Sequence, residues 1–431
     1  MRATILTAAV VAWALCSPPA RALSQELDHR VSMEEALSLF VENNLELRIA
    51  RARMDAVRGV ARQSRAYFNP TPFFYRENLN RDDLDYWEWV LGLEQTIEWP
   101  GRTSARSEAA SRRMDAATVA FAADSLRLAF EVRRVYIQAW AFEEREAALE
   151  IAVAAIREAT TAAERRYEED DISGYELRRL RIERARVEQA LAVARLETTA
   201  GRRTLAAFIL PEAESAEVGP AVPVTDSPPV VPRSAALEAA MQRPSLRAAE
   251  EDYAATRAFA SASGQAWIPD ATVTLGYKDQ RDGFSGLVFG VALPLPVFDQ
   301  KSGVAEAADA RAAAAAARLE LHRRQVRNDV LTTLDRYESI RERLVLVADG
   351  LLDGAEDLLQ IAEIAYSEGE FSLVEVLDAA EAFRDARAAV IDIRADGWIG
   401  YFDLLRAMGG VPEDVAALSE QLPGVEAEEE R

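Results

Sequence analysis

Residues 86–102 read YWEWVLGLEQTIEWPGR, and this stretch decides the fold. Over its first 14 residues, the odd positions are mainly apolar or aromatic and the even positions are mainly polar or acidic. A period of two is typical of a β-strand with one apolar face. Pro100 ends the alternation, and the 68 residues from Gly101 to Glu168 are all compatible with a helix. The stretch therefore predicts a strand that leads into a helix about 100 Å long.

The same order of elements occurs twice in the chain. Matching residues lie 199 positions apart, as in the pairs Leu47 and Leu246, Tyr167 and Tyr366, and Ser173 and Ser372. Each half is predicted to contain a helix, a β-hairpin, a long helix, a turn and another long helix. The predicted first repeat covers residues 23–210, with helices at 34–66, 101–168 and 174–208 and a hairpin at about 71–98. A Pro-rich linker at 211–233 leads to a second repeat at 234–410, with a hairpin at about 270–297 and helices at 302–367 and 373–408. Residues 411–431 are predicted to be an acidic tail.

The predicted strands have the features of an outer-membrane barrel. They are about ten residues long with alternating faces, and Trp87, Trp89 and Trp99 lie near the strand ends, where interfacial aromatics occur. No stretch after the N-terminal segment approaches 18 consecutive apolar residues, so no transmembrane helix is predicted. Four strands cannot close a barrel, since small barrels need about eight. Three chains with twelve strands are therefore predicted, and a small hairpin packed on a soluble helical protein is the alternative.

The alternation also predicts which side chains face the membrane. Odd-numbered residues of the strand should face lipid, while the even-numbered Glu88, Glu94 and Glu98 should face the lumen. A charge at mid-depth on the lipid face costs roughly 2–4 kcal/mol. Leu91→Arg is therefore expected to block assembly far more than Gly92→Ser or Glu94→Gln.

The N-terminus and the composition limit the possible functions. Residues 1–22 have an early Arg, an apolar run and an Ala-Arg-Ala end, which predicts a secretory signal peptide and a mature chain starting near Leu23. Lipid attachment at Cys16 is poorly supported because the preceding Leu15 is bulky. A net charge of −22 argues against nucleic-acid binding. With two His, one Cys and no phosphate-binding loop, neither an enzyme, a cofactor site nor a metal site is predicted.

Three local motifs resemble the TolC family of outer-membrane factors, and the resemblance covers nearly the whole mature chain. Two motifs end the hairpins, QTIEWPGR at 95–102 and PLPVFDQKSG at 294–303, and both are most similar to the heavy-metal cation efflux (CzcC-like) branch. The third is the turn between the long helices, with Tyr, Ser and Glu in both repeats. The resemblance implies a mainly α-helical periplasmic barrel plus a trimeric 12-stranded β-barrel in the outer membrane.

The resemblance also implies partners and sites. The chain would be the exit duct of a tripartite system, passively conducting metal cations supplied by a periplasmic adaptor and an RND-type inner-membrane pump. The helical turns would contact the adaptor, and the residues implied there are Tyr167, Ser173, Gly174, Glu176 and Ser372. The implied periplasmic gate consists of Tyr366, Phe371, Glu375 and Asp378, although the family's basic locking residue falls at Phe371. A drug-efflux or type I secretion duct, or a periplasmic coiled-coil scaffold or adaptor, remains an alternative.

Overall fold

The computed structural model describes residues 29–81, 84–210, 217–221, 227–348, 350–368 and 370–410. The predicted signal peptide, the acidic tail and parts of the linker lie outside these residues. The first repeat contains β1 (His29–Val31), α1 (Met33–Asn43), α2 (Leu45–Ser64), β2 (Thr71–Arg81), β3 (Leu84–Ile97), α3 (Pro100–Glu168) and α4 (Gly174–Ile209). After β4 (Val218–Pro220) follow α5 (Arg233–Met241), α6 (Pro244–Gly264), β5 (Ala271–Gln280), β6 (Ser285–Ala292), α7 (Ser302–Ala348), α8 (Leu351–Ser367) and α9 (Leu373–Met408).

The longest helix, α3, packs lengthwise against α4. Pro100 occupies the first turn of α3, where its missing N–H would have no helical partner in any case. After the turn, the buried residues of α4 are spaced 3, 7 and 4 apart, as in a coiled coil: Leu177, Leu180, Val187 and Leu191. They form one apolar cluster with Val153 and Ile156 of α3. No helix among the described residues is long and apolar enough to cross a membrane.

Two predicted helices are interrupted. The helix predicted at 34–66 breaks at Asn44, whose side-chain oxygen accepts the N–H of Leu47 at 3.0 Å and whose amide donates to the carbonyl of Phe208 at 3.2 Å. The chain thus ends α1 and starts α2 with an N-cap that also binds the end of α4. The helix predicted at 302–367 is two helices, α7 and α8, because Gly350 adopts a left-handed conformation with φ of 103°.

Four antiparallel strands form one sheet in the order β2, β3, β5, β6. Its centre is the pairing of β3 with β5, so the sheet joins the two repeats, and β2 and β6 form its edges. The second hairpin is shorter than the predicted 270–297, since β6 ends at Ala292. Pro294 and Pro296 follow, and proline cannot donate a ladder hydrogen bond.

Candidate functional site

The sheet has one continuous apolar face. Cross-strand register places Phe74 opposite Leu91 and Leu91 opposite Tyr277, so these side chains share a face. Aromatic contacts run along it, with ring centroids 6.5 Å apart for Phe74 and Trp89 and 5.9 Å for Trp89 and Tyr277. The large apolar side chains on this face are exposed: Phe74, Leu91, Leu93, Leu275, Tyr277, Leu287, Phe289 and Val291. An exposed apolar face of this size requires a partner or a lipid surface.

The opposite face of the sheet carries two of the three predicted lumen residues. Glu88 and Glu94 both lie on β3 and alternate with the apolar side chains. Glu98 does not lie on the strand, because β3 ends at Ile97. Its side chain, 8% exposed, instead pairs with Arg106 at 2.8 Å and Arg102 at 3.4 Å of α3. Glu98 therefore anchors the start of the long helix and does not extend the polar face.

Gly92 is a close-contact position on this polar face. A Cβ there would lie 2.6 Å from the ring of Phe73 and 2.7 Å from the carbonyl oxygen of Leu275. Phe73 faces Gly92 across the strands, an arrangement in which an aromatic ring covers a strand glycine. Gly92→Ser, which is expected to disturb assembly less than Leu91→Arg, therefore has a steric cost of its own, because any side chain must displace the ring or the neighbouring strand.

The two turns between long helices share a backbone hydrogen bond at equivalent positions. We name them tip 1 (residues 169–173, between α3 and α4) and tip 2 (residues 368–372, between α8 and α9). In tip 1 the N–H of Asp171 donates to the carbonyl of Arg166 at 2.8 Å, and in tip 2 the N–H of Glu370 donates to the carbonyl of Ala365 at 2.8 Å. These residues are equivalent in the repeat. Apolar packing holds the tips together, since Leu373 and Leu377 of α9 belong to the α3–α4 cluster.

Both tips end in a helix cap. The carboxylate of Glu176 accepts the backbone N–H of Ser173 at 2.8 Å, and that of Glu375 accepts the backbone N–H of Ser372 at 2.6 Å. Each carboxylate also accepts the serine hydroxyl at 2.9 Å. A capping box of Ser and Glu satisfies N–H groups that the first helical turn leaves unpaired. Glu375, predicted as a gate residue, thus has a structural role at the start of α9.

The predicted gate residues Tyr366 and Asp378 each face an arginine of the first repeat. The guanidinium of Arg166 lies 5.0 Å from the ring centroid of Tyr366 and donates to Asp171 at 2.7 Å. The hydrogen bond to Asp171 holds the pKa of Arg166 above its ordinary value. Asp378 is exposed and lies 3.8 Å from Arg179 of α4. A cation–π contact and a long ion pair therefore connect the helices at tip 1 to the helices at tip 2.

The remaining predicted tip residues lie at the surface. Tyr167 is 46% exposed, and its ring lies beside Gly174, 3.5 Å from where a Cβ would be. Phe371 is 36% exposed and precedes the capping serine, as Ile172 does in tip 1. An apolar residue before the N-cap is typical of a hydrophobic staple. The repeat register thus makes Ile172 the counterpart of Phe371.

The sequence patterns do not single out two residues that make contacts at these sites. Arg166 makes the contact between the tips. The ammonium of Lys278 lies 2.6 Å from Glu88 on the neighbouring strand. The pairing of Lys278 with Glu88 depends on the register between β3 and β5, which belong to different repeats. The periodicity within one strand does not indicate this register.

Comparison with known proteins gives a consistent result. The family model of the outer membrane efflux protein matches residues 36–209 and 236–410. The chain is 25% identical over 365 residues to the cobalt-zinc-cadmium resistance protein CzcC of Cupriavidus metallidurans, covering 84% of this chain and 86% of that protein. It is 42% identical over 94 residues to the nickel and cobalt resistance protein CnrC of the same organism, covering 21% of this chain and 22% of that protein.

Solved structures share the fold. The outer membrane protein VceC of Vibrio cholerae superposes with a TM-score of 0.73 at 18% identity, covering 88% of this chain and 96% of that one. The mainly helical, TolC-like fold with a β portion is thereby confirmed.

Proposed function

Because the chain belongs to the outer membrane efflux protein family, we propose that it is the exit duct of a tripartite efflux system that exports metal cations. An inner-membrane pump of the RND type and a periplasmic adaptor would supply the substrate and the energy. The chain itself would conduct passively. The likeness to CzcC over 84% of the chain supports metal cations as the substrate class.

The sheet supports a homotrimer in the outer membrane. Each chain contributes four antiparallel strands, and the edge strands β2 and β6 have no neighbour on their outer sides among the described residues. Exposed edges of long strands invite pairing with another chain. Three copies joined through β6 and β2 give twelve strands, with the apolar face toward lipid and Glu88 and Glu94 toward the lumen.

The helical tips would carry both the gate and the adaptor site. They lie at the ends of α3 and α8, and α3 alone extends about 100 Å from the sheet. The side chains facing solvent there include Tyr167, Ser173, Phe371, Ser372 and Asp378. Contact between Arg166 and Tyr366 favours the arrangement in which both tips of one chain stay together. We propose that this contact belongs to the closed duct and that the adaptor opens it.

The test is complementation of a host that lacks this chain. Growth in cobalt, zinc or cadmium salts should fall on deletion and return with the wild-type gene. Leu91→Arg should not restore growth, because it puts a charge on the lipid face, while Glu94→Gln on the opposite face of the same strand should. Cross-linking of purified membranes should give trimers for wild type and Glu94→Gln.

Two results would contradict the proposal. Unchanged metal resistance after deletion, together with lost resistance to an organic drug, would assign the duct to a different substrate class. A monomer in the periplasmic fraction would remove the duct altogether.

A further inference from the structure

The polar face of the sheet carries one compact ion-pair network near the ends of the strands. The ammonium of Lys278 lies 2.6 Å from the carboxylate of Glu88, which also accepts the amide of Gln280 at 2.9 Å and the hydroxyl of Tyr86 at 3.2 Å. Glu77 lies directly opposite Glu88 in the pairing of β2 with β3. Like charges directly opposite each other destabilise a sheet, so this pair needs a compensating cation.

Lys278 provides the cation that compensates Glu88. Among the strand residues of the face whose side chains the structure describes, it is the only base, and the carboxylates are Glu77, Glu88 and Glu94. The whole chain contains two lysines, and the other, Lys301, lies at the start of α7 beside Asp299. Counted over these described side chains alone, a trimer would carry three lysines and nine carboxylates on this face.

The network lies at the mouth that is farther from the helices. Glu88 is near the start of β3, and nine residues separate it from Ile97 at the helical end, about 30 Å along a strand. Between these points, the polar face carries Glu94, the rings of Phe73 and Tyr75, and small residues that include Gly92, Gly276 and Gly290. Two of the three described carboxylates and the lysine thus lie toward the outer mouth, where a passing ion meets them last.

We propose that Lys278 is a tethered cation that sets the ion selectivity of this outer mouth. Its ammonium is a compact point charge seated at Glu88, beside Glu77, and it keeps these carboxylates from holding an ion in transit. Without it, two opposed carboxylates would offer oxygen ligands to a divalent cation such as Ca²⁺. Rings of charged side chains set selectivity in channels. The proposal rests on the trimeric duct proposed above.

The test uses reversal potentials of purified trimers in planar bilayers. Lys278→Gln should raise the cation-over-anion permeability ratio. It should also allow Ca²⁺ to block the channel when Ca²⁺ is added on the side of the bilayer that the outer mouth faces. Lys301→Gln is the matched control, since it also removes one lysine charge but at a position outside the sheet. This variant should behave as wild type. The effect should shrink from 0.1 M to 1 M salt, since the Debye length falls from about 10 to about 3 Å.

A double variant distinguishes electrostatics from misfolding. Lys278→Gln with Glu88→Gln restores the wild-type net charge and should restore the wild-type permeability ratio. If Lys278→Gln does not assemble, Glu88→Gln alone should lower cation preference. Trimers that conduct with unchanged selectivity and no Ca²⁺ block in Lys278→Gln would overturn the role of Lys278. Wild-type protein that forms no pore would instead count against the proposed duct.

Discussion

Arg166 offers a direct test of how the duct is held closed. Its guanidinium lies 5.0 Å from the ring centroid of Tyr366 and also pairs with Asp171 at 2.7 Å, with side chains 35% and 58% exposed. A cation–π contact at a partly exposed site contributes about 0.5–1 kcal/mol. Arg166→Met keeps the apolar stem and should remove about 1 kcal/mol per chain from the closed state.

The size of the effect depends on whether the three chains open together. A loss of about 1 kcal/mol in each of three chains that open in concert is about 3 kcal/mol, a shift of roughly 150-fold in the open-to-closed ratio. Independent chains would each shift by about fivefold. Single-channel recordings of the open probability measure this difference directly.

Matched variants separate the ring contact from the ion pair. Tyr366→Phe keeps the aromatic face and should remain close to wild type, while Tyr366→Leu should match Arg166→Met. Asp171→Asn removes only the exposed ion pair, worth about 0.2–1 kcal/mol. Arg165→Met removes a charge at the neighbouring exposed residue and should have no effect. An unchanged open probability in both Arg166→Met and Tyr366→Leu would refute the closed-state role of the contact.

Three further outcomes follow from local geometry. Gly92→Ala should reduce trimer yield, at a cost of about 1–3 kcal/mol for overpacking, whereas Gly290→Ala, whose new Cβ would lie 3.5 Å from the nearest side-chain atom, should express normally. Glu375→Gln keeps an acceptor for the cap and should preserve the thermal stability of the tips, while Glu375→Ala should lower it, as measured by thermal unfolding in detergent. Burial, with the charge of Arg243, lowers the pKa of His322. The folded state therefore prefers neutral His322, and its contribution is present above pH about 6.5 and lost as pH falls. His322→Gln should flatten that loss in melting curves.

Features that depend on neighbouring residues along the chain were predictable. The period of two in β3 and the absence of Pro and Gly from Arg102 to Glu168 are local signals, and the sequence repeat extends both predictions to the second half. The interruptions of two predicted helices, at Asn44 and at Gly350, were not predictable in the same way. Asn44 ends one helix and starts another because its amide also reaches the end of α4 at the carbonyl of Phe208. Gly350 permits the left-handed conformation that separates α7 from α8, yet glycines elsewhere lie within helices.

Contacts between repeats were the part that the sequence could not provide. Glu88 was predicted as a lumen residue from alternation alone, but its partner Lys278 depends on the register between β3 and β5. Glu98 has the correct parity for the polar face, yet Arg102 and Arg106 of the following helix bind its carboxylate. The alternation of odd and even positions therefore identifies the face of a side chain only for residues within the strand.

The repeat also shows which tip residues serve local structure and which serve contact between tips. Glu176 and Glu375 are equivalent and identical, and both cap a helix, so their recurrence follows from the need for a cap. Each contact across the tips includes an arginine at a position where the repeats differ. Arg166 corresponds to Ala365 and contacts Tyr366, whereas Arg179 corresponds to Asp378 and lies 3.8 Å from it.

Two identical tips would place like charges at the position where Arg179 meets Asp378, and divergence of the repeats replaces that repulsion with an attraction. It also changes the expected charge of the gate. With Glu375 bound to the N-terminus of its own helix and Asp378 beside an arginine of the same chain, a trimer would not present six free carboxylates at the entrance. Selectivity at the periplasmic end should therefore depend less on these acids than the family resemblance implies, and closure should depend more on the contact of Arg166 with Tyr366.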